Sequence, residues 1–149
     1  MRVVVQRVDK TSVSVAGQVV SSIGKGILVF LGIEKGDGLK DADYLLEKVI
    51  NLRIFEDSGG KMNLSLLDIS GEMLVVSQFT LLGDCRKGRR PSFINAEDPI
   101  EAKLLYEYFI NQGQDKMERV SSGEFQAMMK IEIVNDGPVT ILLDSRKVF

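Results

Sequence analysis

A chain of 149 residues is long enough for one domain with a real hydrophobic core and too short for two. Hydrophobic residues at 44% and charged residues at 27% exclude a disordered chain, while a formal net charge of −2 excludes a global positive field, so any polyanion contact needs a local basic patch. The lack of histidine removes Ser/His and Cys/His nucleophile pairs and any His-rich metal site; the one cysteine, Cys85, permits no intrachain disulfide, which suits a reducing cytosol.

In chain order, Val3, Val5 and Arg7 alternate with Val4, Gln6 and Val8, a strand apolar on much of both faces. Ser12-Val13-Ser14-Val15 alternates cleanly, and Gly17-Gln18 predicts a hairpin turn into a strand over residues 19–23. Gly24 and Gly26 bracket a second turn before a buried run over residues 27–33. Leu39, Ala42, Leu45, Leu46, Val49 and Ile50 form one helical stripe, with Asp37 or Asp41 as the cap. Short strands over residues 52–55 and 73–79 follow, separated by a turn at Ser58-Gly59-Gly60. A second helix has Asp98 as its cap, Pro99 at the first position and Glu101 where a capping box places an acid. Leu104, Leu105 and Tyr108 are its predicted apolar face and Gly113 its stop. Strands over residues 130–134 and 139–143, joined by a turn at Asn135-Asp136-Gly137-Pro138, complete an α+β domain with a curved mixed sheet over residues 1–149. The longest apolar runs, such as residues 26–33, are too short to span a bilayer, and the opening residues do not make a signal peptide, so a cytoplasmic protein is expected.

Five features bear on chemistry. Met73-Leu74-Val75-Val76-Ser77-Gln78-Phe79-Thr80 is an apolar strand that turns polar at its end. It reads either as a core strand whose polar side chains satisfy a turn, or as hydroxyls, an amide and backbone N–H groups converging on a carbonyl to be hydrolysed. Gly137-Pro138 reads as a turn, and because cis X–Pro bonds are only about 5–6% of the total, the residues alone argue for trans. Arg86, Lys87, Arg89 and Arg90 crowd four cations into five residues of a net acidic chain, as a solvated loop or as a phosphate-contacting one. Arg7 interrupts an apolar strand; it either lies at an edge with its stem on the sheet or, if buried, needs a carboxylate or carbonyl acceptor. Cys85 has cations nearby but no histidine to act as its base, and reads as non-catalytic.

Six segments together resemble the D-aminoacyl-tRNA deacylases. They are Met1-Arg2-Val3-Val4-Val5-Gln6-Arg7-Val8, Leu52-Arg53-Ile54-Phe55-Glu56-Asp57, Gly60-Lys61-Met62-Asn63, Ser77-Gln78-Phe79-Thr80-Leu81, Gly88-Arg89-Arg90-Pro91-Ser92-Phe93 and Asn135-Asp136-Gly137-Pro138-Val139-Thr140. Each is weak alone; in this order and spacing they are specific, and they run nearly end to end. Two departures touch the pocket rim: Leu82-Gly83 stands where the family has an aromatic and a small residue, and Gln126 and Met128 stand where it has glycine and an acid.

The resemblance implies a homodimer that hydrolyses D-aminoacyl-tRNA, with two sites at the subunit interface. Each site would pair Ser77, Gln78, Phe79 and Thr80 of one subunit with Gly137 and Pro138 of the other, the Gly-Pro bond being cis and excluding L side chains. Glycyl-tRNA has no side chain to exclude and would enter. Arg7 would brace the dipeptide, and Arg86, Lys87, Arg89 and Arg90 would contact tRNA. An aminoacyl ester is already activated and carries a ribose hydroxyl beside it. Backbone N–H groups near Phe79 and Thr80 would then stabilise the oxyanion while that hydroxyl positions water; Thr80 as a covalent nucleophile is the alternative, without an evident base. Phe79 also suits stacking on the terminal adenine. No metal, cofactor, DNA or membrane partner is expected. The competing class is a non-catalytic RNA-binding module that uses the basic loop alone.

Overall fold

The computed structural model describes residues 1–149. Its spine is a pair of long antiparallel strands, β1 (Arg2–Val15) and β8 (Met129–Asp144), paired from Arg2↔Asp144 to Val15↔Met129. On its other side β1 is shared between two partners. β3 (Gly26–Gly32) pairs with residues 2–8 and β2 (Gln18–Ile23) with residues 11–15. β6 (Glu72–Ser77) runs parallel to β3, and β7 (Val120–Ser122) runs parallel to β6. Parallel neighbours need crossover connections, and these carry the two helices, α1 (Leu39–Ile50) and α2 (Pro99–Lys116). The first crossover also holds a two-stranded sheet, β4 (Phe55–Glu56) with β5 (Met62–Leu64). Because β2 also lies against β6 and β7, the sheet curls into a nearly closed, barrel-like form.

Strand alternation divides the core between the two sheet faces. Val3, Val5, Ile27, Val29, Leu31, Met73 and Val75 pack with α1 and α2, while Val8, Val13, Ile23, Leu28, Leu74 and Val76 fill the concave side. β1 changes face at Arg7 and Val8, two consecutive buried residues, where its register with β8 shifts. Gly26 allows β3 to meet β6, since a Cβ there would lie 1.9 Å from the Glu72 carbonyl oxygen.

Several predicted boundaries move. The first hairpin turns at Ala16 and Gly17, both at positive φ, and Gln18 already belongs to β2. Residues 52–54 are irregular, leaving only Phe55 and Glu56 as strand, and the strand predicted to reach residue 79 stops at Ser77. Gly38 caps α1 and donates its N–H to Asp41 Oδ2 at 3.0 Å; Asp37 instead accepts from Glu34 N and pairs with the Met1 amine. In α2, Asp98 accepts from Ile100 N as a cap should, but the Asp98 N–H goes to Glu97 Oε1, so Glu101 completes no capping box. The buried face of α2 is Ala102, Tyr106, Phe109, Ile110 and Gly113, leaving Leu104 exposed. Gly113 lies inside α2 rather than ending it: a Cβ there would lie 3.0 Å from Met73 Cε, so it serves helix–sheet approach. Residues 135–138 are not a turn between two strands but part of one continuous β8. No helix is long and apolar enough to cross a membrane.

Candidate active site

β6 carries the polar end of the Met73-to-Thr80 segment out of the core. Met73, Leu74, Val75 and Val76 are buried, Ser77 and Gln78 are half-buried, and the Gln78 N–H donates to the Leu31 carbonyl at 2.8 Å. The chain then leaves the sheet as a single 3-10 turn, Phe79–Leu82, pinned by buried Leu82. Gly32 makes room, because a Cβ there would lie 2.6 Å from Leu82 Cδ2 and 3.0 Å from the Gln78 oxygen. Phe79 and Thr80 open that turn, so no carbonyl within it is available to their N–H groups.

Beside this strand end is a cleft of about 680 Å³. Ser77, Gln78 and Phe79 line one side, residues 125–129 another, and Pro99 and Ala102 at the start of α2 a third. Phe79 is 58% exposed, and its ring meets Phe93 edge-on at 5.0 Å. Thr80 is not a lining residue; its hydroxyl accepts a hydrogen bond from the Gln78 side-chain amide. Three of the four expected strand-end residues therefore face the cleft, and the fourth holds Gln78.

Gln126 and Met128 were expected at the pocket rim and line the cleft; the rest of residues 125–129 and the start of α2 were not expected as walls. A faint signal for the former was apolar Phe125 and Met128-Met129 after Gly123; for Pro99 and Ala102 the sequence carried none beyond the helix cap. Phe125 is backed by Tyr106, whose ring centroid is 5.5 Å away. The Tyr106 hydroxyl donates to the Val75 carbonyl at 2.8 Å, and burial pushes its pKa up to about 12. Gln126 is held at φ 64, and Met128 is 89% exposed at the rim.

Gly137-Pro138 lies elsewhere on the same chain. Thr140 pairs with Gln6 and Asn135 with Val8, so residues 136–139 of β8 bulge opposite Arg7 alone. The Gly137-Pro138 bond is cis, Gly137 has φ +119, and both residues are exposed. Arg7 is buried beneath the bulge. Its Nε is 2.9 Å from Asp136 Oδ2 and 3.3 Å from the Asp136 carbonyl oxygen, and its Nη1 donates to the Ile54 carbonyl at 2.5 Å. A buried guanidinium thus has the carboxylate and carbonyl partners that burial demands. Neither Arg7, Gly137 nor Pro138 lines the cleft of its own chain.

The basic loop is closed by paired backbone hydrogen bonds between Asp84 and Ser92. Arg86 folds back on Asp84 with contacts of 2.6 and 2.9 Å, and those hydrogen bonds lower the Asp84 carboxyl to about 2. Lys87, Arg89 and Arg90 are exposed and make no ion pair or side-chain hydrogen bond. Phe93, one residue past the pair that closes the loop, meets Phe79 and so joins the base of the loop to the cleft wall.

Comparison with known proteins gives concordant matches. The sequence model of the family described as D-Tyr-tRNA(Tyr) deacylase matches residues 4–144. D-aminoacyl-tRNA deacylases of Syntrophus aciditrophicus and Clostridium botulinum are 70% and 60% identical over 149 residues, covering all of this chain and all of theirs. Among solved structures, a c-Myc DNA unwinding element binding protein superposes with a TM-score of 0.92 at 43% identity, over 97% of this chain and 98% of that one. A structure described as a probable eukaryotic D-amino acid tRNA deacylase matches with a TM-score of 0.80 at 19% identity, over 95% and 97% of the two chains, a likeness of fold.

Proposed function

Because the chain belongs to the D-Tyr-tRNA(Tyr) deacylase family, we propose that it hydrolyses the ester of D-aminoacyl-tRNA to free D-amino acid and tRNA, and rejects L-aminoacyl-tRNA at Gly137-Pro138. The observation that carries the reaction is the match over residues 4–144, which spans both the strand end and the bulge.

The terminal aminoacyl-adenosine enters the cleft, with Phe79 offering its exposed ring to the base. Water attacks the ester carbonyl, and the N–H groups of Phe79 and Thr80 receive the charge that develops on oxygen. The ribose hydroxyl next to the ester positions the water and relays the proton that it sheds, and the departing ribose oxygen takes that proton as the tetrahedral intermediate collapses. Ser77 and Gln78 shape the cleft, and Thr80 serves by orienting Gln78. Lys87, Arg89 and Arg90 bind tRNA phosphates, with Arg86 contributing less because Asp84 already neutralises it.

Chiral selection requires a second copy, since Gly137 and Pro138 are absent from the lining of their own chain's cleft. Supporting a homodimer, β8 pairs on one side only, leaving a 16-residue free edge with Ile133, Val134 and Leu142 exposed. Exposed Phe79, Ile94, Ile100 and Met128 offer further apolar surface around the cleft and the adjoining loop. With the partner's Gly137-Pro138 at the cleft, an L side chain meets backbone while a D side chain or the hydrogen of glycine does not. The place of such a reaction is the cytoplasm, where charged tRNA is used.

The test is incubation with D-tyrosyl-, L-tyrosyl- and glycyl-tRNA, following released amino acid, alongside binding of uncharged tRNA and the solution mass. Release from the D- and glycyl-substrates by a dimer is expected. Binding of charged and uncharged tRNA alike, with no amino acid released, would instead identify a non-catalytic RNA-binding module.

A further inference from the structure

Two of the six segments that mark the family, Leu52-Arg53-Ile54-Phe55-Glu56-Asp57 and Gly60-Lys61-Met62-Asn63, line neither the cleft nor the bulge. We propose that the Asp57 and Asn63 side chains are positioning residues for Gly137-Pro138, acting through Arg53, the Ile54 carbonyl and Arg7. The inference rests on the reading of Gly137-Pro138 as the chiral filter.

Hydrogen bonds connect these groups, with the peptide link from Arg53 to Ile54 as the one covalent step. Asp57 Oδ1 accepts from Gly59 N at 2.8 Å and Lys61 N at 3.0 Å, which closes the β4–β5 hairpin on its own carboxylate. Asp57 Oδ2 accepts from Asn63 Nδ2 at 2.6 Å. Asn63 is thereby oriented to take both arms of Arg53: Nε donates to its carbonyl at 2.7 Å and Nη2 to its Oδ1 at 3.0 Å. This two-point grip holds the irregular stretch before β4 from the solvent side, while buried Ile54 and Phe55 hold it from the core. Between the two, the Ile54 carbonyl points at Arg7 Nη1, and Arg7 Nε reaches Asp136, next to Gly137.

The geometry also explains why residues 52–54 are not a strand. A ladder would direct the Ile54 carbonyl to a neighbouring strand, whereas here it is the buried acceptor that fixes the guanidinium under the bulge. Asp136 grips that guanidinium with both its carboxylate and its carbonyl, and Gly137 follows directly above it, where a Cβ would lie only 3.1 Å from Arg7 Nη2. Movement of Arg7 is therefore movement of the bulge.

The experiment compares kcat/KM for D- and L-tyrosyl-tRNA in Asn63→Ala, Asp57→Asn, the swapped double variant D57N/N63D, and Gly137→Ala, with thermal midpoint and dimer state measured for each. In the swap, the amide at 57 donates to the carboxylate at 63, which still accepts from Arg53. Asn63→Ala and Asp57→Asn are each expected to lower the D-over-L ratio about fivefold, the factor of one net hydrogen bond, and the swap to restore it. A hairpin that only stabilises the fold would lower the midpoint and leave the ratio unchanged; that result overturns the inference, as does a swap no better than the singles. If Asn63→Ala does not fold, Arg53→Lys, which keeps the charge but loses the two-point grip, takes its place with the same two outcomes. Gly137→Ala separates the layers: loss of discrimination there but not at Asn63 refutes the brace alone, whereas an unchanged ratio at Gly137 refutes the filter on which it rests.

Discussion

Gly137→Ala is the sharpest perturbation of the proposed filter, because its cost follows from the atoms that surround the residue. At φ +119 the residue lies well beyond the left-handed region near +57° that non-glycine residues reach. An alanine Cβ built there falls 2.8 Å from Val139 Cγ2, 3.0 Å from Val139 N and 3.1 Å from Arg7 Nη2. Val139 can rotate its methyl away. Its backbone nitrogen cannot move independently, and Arg7 is held by Ile54 and Asp136. Backbone strain of about 1–3 kcal/mol and overpacking of about 1–3 kcal/mol therefore act together against the present bulge. Even a combined 2 kcal/mol shifts the balance between this bulge and a displaced one roughly 30-fold. The bulge is exposed, so relaxation there spares the core and the thermal midpoint should fall little. The assay is steady-state hydrolysis of D- and L-tyrosyl-tRNA by folded, dimeric variant, and kcat/KM for the D-substrate should fall by roughly 30-fold or more. Wild-type kinetics and an unchanged D-over-L preference would refute the reasoning, since the clash would then be absorbed without moving anything the substrate meets.

Thr80→Ala should lower the rate by far less than the roughly 10²–10⁴-fold that loss of a proton-transfer group brings, because Thr80 lies outside the cleft lining and its hydroxyl is engaged by Gln78; an acyl-enzyme trapped on Thr80 would reverse that conclusion. Replacing Arg89 and Arg90 with alanine should reduce the slope of log K for tRNA against log salt by about 1.4–1.8, while hydrolysis of a short aminoacyl-adenosine stays near wild type; an unaltered slope would make the loop ordinary solvated surface. Asp84 should titrate near 2 by NMR and move part of the way up toward 3.8 in Arg86→Ala, because the Arg86 side-chain hydrogen bonds are the largest cause of the depression while the bond from its backbone N–H remains. A folded-state pKa below the unfolded one means this contact favours the closed loop above about pH 4 and ceases to do so as the pH falls through 2; a midpoint near 4 in the wild type would show that the contact is not maintained in solution.

Local pattern determined much of this protein. The apolar stripe of α1 is legible because five of its six residues are indeed buried, and the Asp98-Pro99 start of α2 because capping and proline geometry act over two or three residues. The polar end of the Met73-to-Thr80 segment and the basic loop are also carried by residues close together in the chain, and the family resemblance by six short runs whose order along nearly the whole chain makes them specific. What the pattern could not decide depends on partners distant in sequence. Leu104, Leu105 and Tyr108 are the apolar face that the pattern of α2 offers, and only the position of the sheet determines that Tyr106 is inside and Leu104 outside. Gly113 looks like a stop until Met73 and Val120 are seen against it. Residues 135–138 have the composition of a turn, yet β1 continues past them and forces a bulge, because its pairing at Gln6 on one side and Val8 on the other leaves the neighbour no place to reverse. Arg7 in sequence is a cation in an apolar strand. Only when Ile54 and Asp136, 47 and 129 residues away, supply its acceptors does its burial become affordable and its hold on Gly137 evident.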